Sequence, residues 1–308
     1  MNNLIFRKKN YVITKGPQMV NWNYSYKCNL NCKHCYSRTR NEIEATLEEK
    51  YKIADNIIRN QVFWVNLGGG EPIILKETID IIKYLTDNHI YVSLSSNGTF
   101  ISEKKAYELY KANLSGGSIS LDHSLKEKHN KNRGFDSSYD DAIRAIKLLV
   151  SFGIDVIIST TMTSANYDCL EDIIKIGINL GCKGISLKRL KMSGNALINP
   201  ELELTIKQQK TLYENIFLWK QKYPEFDIIL NYGTELIENI DGGCPCGRTA
   251  VAITSNGTIL PCVYNESNAL GNAIYDDLSE IWNSDYLQFL RNNFNCLGRM
   301  IPNKEQNK

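Results

Sequence analysis

Six short runs of β-branched and apolar residues alternate with six amphipathic helical runs from residue 19 onward. That alternation limits the chain to an α/β fold with a parallel sheet and helices on its outer face. The strand candidates are 19–26, 62–68, 90–95, 118–122, 155–161 and 184–189. The helix candidates are 46–60, 75–88, 102–113, 138–152, 167–180 and 205–222. The helix at 46–60 opens on Thr46-Leu47-Glu48-Glu49, a capping-box pattern. Right-handed crossovers curl such a sheet into a barrel or part of one, and six units are fewer than the eight of a closed barrel.

In a barrel of this kind, ligand-binding residues collect at the C-terminal strand ends. The expected ends are rich in them: Gly68-Gly69-Gly70-Glu71-Pro72, Ser95-Ser96-Asn97-Gly98-Thr99, Ser120-Leu121-Asp122-His123, Ser159-Thr160-Thr161 and Lys188-Arg189. Ser120 and Asp122 share one face of their strand, as do Ser159 and Thr161. Each segment also has a plain structural reading. The glycines suit a tight turn, Asn97-Gly98 is a standard turn pair, Asp122 suits a loop cap, and Lys188 and Arg189 suit a solvated strand end.

The first strand end carries Cys28-Asn29-Leu30-Asn31-Cys32-Lys33-His34-Cys35. Three thiolates from one loop can hold three irons of a [4Fe–4S] cluster and leave the fourth open to a small molecule. A structural zinc site wants four ligands, and His34 could supply the fourth only with strained geometry. A second group lies near the C-terminus: Cys244, Cys246 and Cys262, the last two separated by an expected hairpin, with Cys296 beyond. Ala250 to Thr254 and Thr258 to Cys262 read as its strands, and Ser255-Asn256-Gly257 as its turn.

The run CNLNCKHCYS resembles the signature of the radical S-adenosylmethionine (SAM) enzymes, and Gly69-Gly70-Glu71 resembles their GGE motif. The resemblance implies a partial (β/α)6 barrel. It implies that the open iron chelates SAM and that an electron from the cluster cleaves SAM to methionine and a 5′-deoxyadenosyl radical. It makes Cys28, Cys32 and Cys35 the cluster ligands. His34, Tyr36, Gly69, Gly70, Glu71, Ser96, Asn97, Ser120, Ser159, Thr161 and Arg189 become candidate SAM contacts, and Asp122 a candidate catalytic residue. Arg133-Gly134 resembles another recurring segment of the family.

The C-terminal pattern resembles the start of a SPASM domain, including the Leu278-Ser279-Glu280-Ile281-Trp282 helix. A full SPASM domain has more cysteines than remain here. Cys244, Cys246, Cys262 and Cys296 suffice for one auxiliary [4Fe–4S] cluster, the shortened arrangement called Twitch, or for zinc. Cys244 or Cys246 is a candidate for proton or hydrogen-atom transfer if only one of them ligates. The expected divisions are an extension at 1–16, the barrel at 17–200, a connecting helix and strand at 201–240, and the cluster domain at 241–308.

The implied activity is hydrogen abstraction from a ribosomally made peptide, to crosslink, oxidise or epimerise it. The alternatives are a small-molecule dehydrogenase or cofactor-biosynthesis enzyme and, outside enzymes, a metal-binding regulatory protein. An electron donor such as flavodoxin or ferredoxin is implied as partner. The 308 residues carry a net charge of +2, so no strong field favours nucleic acid. No apolar run is long enough for a membrane span. Nine cysteines without a signal peptide fit a cytoplasmic metal-using protein. Cys169 and Cys182 read as ordinary buried thiols.

Overall fold

The computed structural model describes residues 15–37, 43–231, 245–264 and 268–293. β1 (Met19–Ser25), β2 (Trp64–Gly69), β3 (Tyr91–Ser96), β4 (Gly116–Ser120), β5 (Asp155–Met162) and β6 (Gly184–Arg189) run parallel, each beside the next. They fall where the periodicity predicts strands. The helices between them are α1 (Leu47–Arg59), α2 (Thr78–Asp87), α3 (Glu103–Lys111), α4 (Lys126–Arg133), α5 (Ser138–Ser151) and α6 (Leu170–Asn179). The capping box at α1 is present, with reciprocal bonds between Thr46 and Glu49. α4, sequence KEKHNKNR, was not expected. It is polar on all sides and ends at Gly134, whose φ of +67° is a left-handed cap.

α7 (Ile206–Lys222) and β7 (Asp227–Asn231) occupy the expected connecting stretch, and β7 pairs parallel with β6. The C-terminal hairpin, β8 (Ala250–Ile253) and β9 (Thr258–Leu260), forms as expected. It does not stand apart: β8 pairs parallel with β1, and β9 pairs with the short β10 (Gly271–Asn272). The result is one ten-stranded sheet of order β10-β9-β8-β1-β2-β3-β4-β5-β6-β7. Buried Asn56 of α1 ties down the segment before α8 (Leu278–Trp282), donating to the carbonyls of Ala273 and Asp276 and accepting from Leu278 N–H. α9 (Asp285–Asn293) follows.

The two faces of β1 to β6 differ in chemistry. Val20, Trp22, Tyr24, Val65, Leu67, Val92, Leu94, Ile119, Val156, Ile158, Ile185 and Leu187 share one face by register, and none is more than 1% exposed. That face joins the helix side chains in a single apolar core. The other face carries Asn21, Asn66, Ser93, Ser95, Ser120, Thr161 and Lys188, all partly solvent-accessible, with the more buried Asn23, Ser118, Ser159 and Ser186. Branched aliphatic residues fill the inside of a closed eight-stranded barrel. Here small polar residues leave an open, solvated interior.

Candidate active site

The cysteine loop leaves β1 and is gripped from two sides. On one side are Gly69 and Gly70. Gly69 has φ +110°, and a Cβ on either glycine would lie 2.3 Å from a carbonyl oxygen of the loop, that of Ser25 or of Lys27. Only glycine permits that approach. Gly70 N–H donates to Ser25 at 2.6 Å and Glu71 N–H to Lys27 at 2.8 Å.

On the other side lies the 3₁₀ turn Gly194–Ile198, which follows β6. Asn195 N–H donates to Cys35 O at 2.8 Å, and its side-chain amide donates to Asn31 Oδ1 and Cys32 O, both at 2.9 Å. Gly194, at φ +57°, presses so close that a Cβ would lie 2.5 Å from Cys35 O. Sequence reasoning missed this clamp. Its one signal was Ser193-Gly194-Asn195, a turn-type run just past a strand end.

The sulfurs sit among donors. Cys32 is buried, which pushes its thiol up to about 11, opposed chiefly by the Arg133 cation. Arg133 Nη1 points at Cys32 Sγ from 3.8 Å, Asn97 Nδ2 at Cys28 Sγ from 4.0 Å, and Leu30 N–H at Cys28 Sγ from 3.4 Å. Metal binding deprotonates a thiol, and these N–H groups would then face sulfur anions. The buried Arg133 Nε–H has no partner among the described residues, which leaves a donor for a ligand. These features fit an iron–sulfur cluster on this loop. Among the described residues no three His, Cys, Asp or Glu side chains converge on one metal ion. A cluster imposes no such condition, because each thiolate binds its own iron.

Asp122 is the hub that holds Arg133. Its Oδ2 lies 2.7 Å from Arg133 Nη2, 3.2 Å from Asn132 Nδ2 and 3.8 Å from His34 Nε2, and its Oδ1 accepts from Thr161 N–H at 3.0 Å. Burial alone would raise its pKa, but the Arg133 cation above all holds the carboxyl down to about 2. Both oxygens are spent on the protein. His34 is kept neutral by burial, and its Nδ1 meets Asn132 Nδ2 at 3.0 Å.

Glu71 is also fully buried, and burial pushes it up to about 7 against the bonds it accepts. Those come from Asn97 N–H at 2.7 Å and Ser96 Oγ–H at 2.9 Å. Glu71 thus ties the tip of β3 to that of β2. Ser120, Ser159 and Thr161 face the open interior, and their hydroxyls make no hydrogen bond among the described residues. Lys188 shares their face, since it pairs in register with Thr161. Arg189 alternates to the face of Leu187, away from that interior.

Tyr36, beside Cys35, donates to Asn23 at 3.3 Å and meets Tyr264 edge-on at 5.0 Å. Tyr264 lies two residues beyond Cys262, so this pair joins the two cysteine regions. Cys246 and Cys262 are buried, 9% and 4% exposed. Arg291 of α9 donates to the carbonyl of Gly247, next to Cys246. Cys244 and Cys296 lie outside the described residues. Cys169 and Cys182 are buried in the apolar core, as ordinary thiols would be.

Comparison with known families decides the reading of this loop. The model of the radical SAM superfamily matches residues 22–176, and that of the SPASM iron-sulfur cluster-binding domain matches 244–300. This chain belongs to the radical SAM superfamily. The mycofactocin maturase MftC of Mycolicibacterium smegmatis is 34% identical over 277 residues, 87% of this chain and 70% of the relative. The subtilosin biosynthesis protein AlbA of Bacillus subtilis is 26% identical over 87% of this chain and 60% of its own length.

Among solved structures, SuiB of Streptococcus suis bound to its precursor peptide SuiA superposes with a TM-score of 0.73 at 19% identity, covering 92% of this chain and 68% of SuiB. The same protein has been solved with SAM bound. These likenesses show the fold, a partial barrel with a C-terminal extension. The two family matches make the chain a radical SAM enzyme and imply [4Fe–4S] clusters and SAM as its cofactors. No helix among the described residues is long and apolar enough to cross a membrane.

Proposed function

We propose that this enzyme modifies a ribosomally made peptide, by crosslinking, oxidation or epimerisation. The observation that carries this reading is the 34% identity to a mycofactocin maturase, which extends over 87% of the chain rather than one motif. Cys28, Cys32 and Cys35 hold the SAM-binding cluster. Gly69, Gly70 and Glu71, with Ser96 and Asn97, wall the methionine end of SAM, and Ser120, Ser159 and Thr161 face its ribose. Bound there, cluster and SAM would supply a hydrogen-abstracting radical.

The chain's own residues set the stage for that chemistry. Arg133 donates to the Cys32 sulfur, and Asp122 fixes Arg133, so Asp122 is a positioning residue. His34 and Tyr36 brace the loop. Arg189 faces elsewhere, and the interior cation is Lys188. Cys246 and Cys262, with Cys244 and Cys296, hold one auxiliary cluster, and either Cys244 or Cys246 can serve instead as a hydrogen donor. A flavodoxin or ferredoxin supplies the electron. The domain boundary falls near residue 240.

The test is anaerobic co-expression with any short peptide encoded beside this chain's gene, followed by mass spectrometry. Loss of hydrogen from the peptide, or deuterium uptake from heavy water with no mass change in ordinary water, supports the reading. An unchanged peptide contradicts it. One finding favours a second reading: the AdoMet-dependent heme synthase of Methanosarcina barkeri is 24% identical over 91% of this chain and 86% of its own length. Conversion of a porphyrin precursor in place of a peptide would select it.

A further inference from the structure

The interior face divides into two chemically different parts. On β1 to β3 most of the polar groups are already spent on one another. Trp64 Nε1 donates to Ser93 at 2.8 Å, and Ser93 and Ser95 both donate to Asn66 Oδ1, at 3.0 and 3.1 Å. Asn23 donates to Tyr26 and accepts from Tyr36. On β4 and β5 they are not. The hydroxyls of Ser118, Ser120, Ser159 and Thr161 have no hydrogen-bond partner among the described residues. Lys188, in register with Thr161, has neither ion pair nor hydrogen bond among them.

Lys188 is also the only Lys or Arg on the inner face of β1 to β6. Its surroundings leave it uncompensated. The carboxylate whose charge acts on it, Asp122, is committed to Arg133 at 2.7 Å, and His34 is neutral. Burial, with Arg133 adding, depresses the Lys188 ammonium to about 8, so its charge is held at a cost. The cofactors do not remove that imbalance. A cluster on three thiolates is anionic, SAM is cationic, and their formal charges offset each other. A partly buried cation with no ion pair among the described residues is a site for an incoming anion.

We propose that Lys188 anchors a carboxylate of the substrate, an Asp or Glu side chain or the C-terminal carboxylate of the peptide, on the β6 side of the interior, beside the SAM ribose that Ser120, Ser159 and Thr161 face. This rests on the peptide reading above and names the feature by which the peptide is selected. SAM carries a carboxylate too, so the experiment separates the two sources.

The probe is a synthetic hexapeptide library carrying Asp or Asn, and Glu or Gln, at each position, with free or amidated C-termini. Binding to the anaerobically reconstituted enzyme with SAM is read by mass spectrometry, for wild type, Lys188→Gln and Lys188→Arg. SAM affinity is measured in parallel. We expect wild type to favour one carboxylate position by about tenfold or more over its amide, the scale of a charge-assisted hydrogen bond. Lys188→Gln loses that preference and Lys188→Arg keeps it. Equal binding of acids and amides by wild type overturns the proposal and leaves the peptide reading intact. A preference that survives in Lys188→Gln, or a loss of SAM affinity in its place, also overturns it. If no peptide binds under any condition, the peptide reading fails and takes this inference with it.

Discussion

The same six strands present two unlike surfaces. The helix-covered face is built from Val, Ile, Leu, Trp and Tyr side chains with essentially no exposure. Toward the C-terminal strand ends the inner face is built from Asn, Ser, Thr, Gly and one Lys, much of it solvated, with Trp64, Tyr91 and Ile157 nearer the N-terminal ends. A fully buried aliphatic side chain contributes about 1.5–3 kcal/mol, so the fold draws its stability from the outer face. The inner face is relieved of that duty and can be spent on ligands. The cysteine loop, Glu71, Asp122 and Lys188 all gather where that inner face meets the C-terminal strand ends.

The largest contrast concerns activity. Cys32→Ala is expected to abolish 5′-deoxyadenosine formation and lower bound iron by about four per chain, with circular dichroism unchanged. Deoxyadenosine formed at the wild-type rate would remove the loop from the chemistry.

The next concerns stability, on adjacent residues of β5. Ile158→Ala, on the outer face, is expected to cost about 2–5 kcal/mol in denaturant unfolding. Ser159→Ala, on the inner face and without a hydrogen-bond partner, is expected to cost less than about 1 kcal/mol. Equal costs would erase the distinction between the faces. Filling the interior sharpens it. Ser120→Leu is expected to reduce product formation while leaving the unfolding midpoint nearly in place. A loss of about 1–3 kcal/mol, the mark of overpacking, would mean that the inner face is a packed core.

The smallest effect is a slope with pH. Glu71 titrates near 7 when folded, against an ordinary 4.5. Between those values the folded chain holds a proton that the unfolded chain has released, so stability falls as pH rises from about 5 to about 7. Glu71→Gln is expected to flatten that part of the profile. A slope unchanged in the variant would assign it to another group.

Much of this was legible in the chain, and what was not has physical reasons. The six strands announce themselves by length and β-branching, and the three-cysteine loop by spacing. The alternation of Asn, Ser and apolar residues is visible too, but alternation does not say which face the helices cover. Lys188 and Arg189 show why that matters: a shift of one residue exchanges the faces, and only the pairing of Lys188 with Thr161 settles which points inward. α4 has no apolar stripe to reveal it. It is held by Gly134 and by the bond from Lys33 N–H to Asn132 O. The Asn195 clamp joins residues 163 apart in sequence, a contact no local pattern encodes. The hairpin β8–β9 was readable from Ser255-Asn256-Gly257, but its docking against β1 was not, because strand propensity does not name a neighbour.

The most direct test of the account is anaerobic reconstitution of the whole chain, with iron and sulfide counted and SAM supplied under reduction. Two [4Fe–4S] clusters predict about eight irons per chain and formation of 5′-deoxyadenosine and methionine. Zinc in place of iron, with SAM recovered intact, would contradict it.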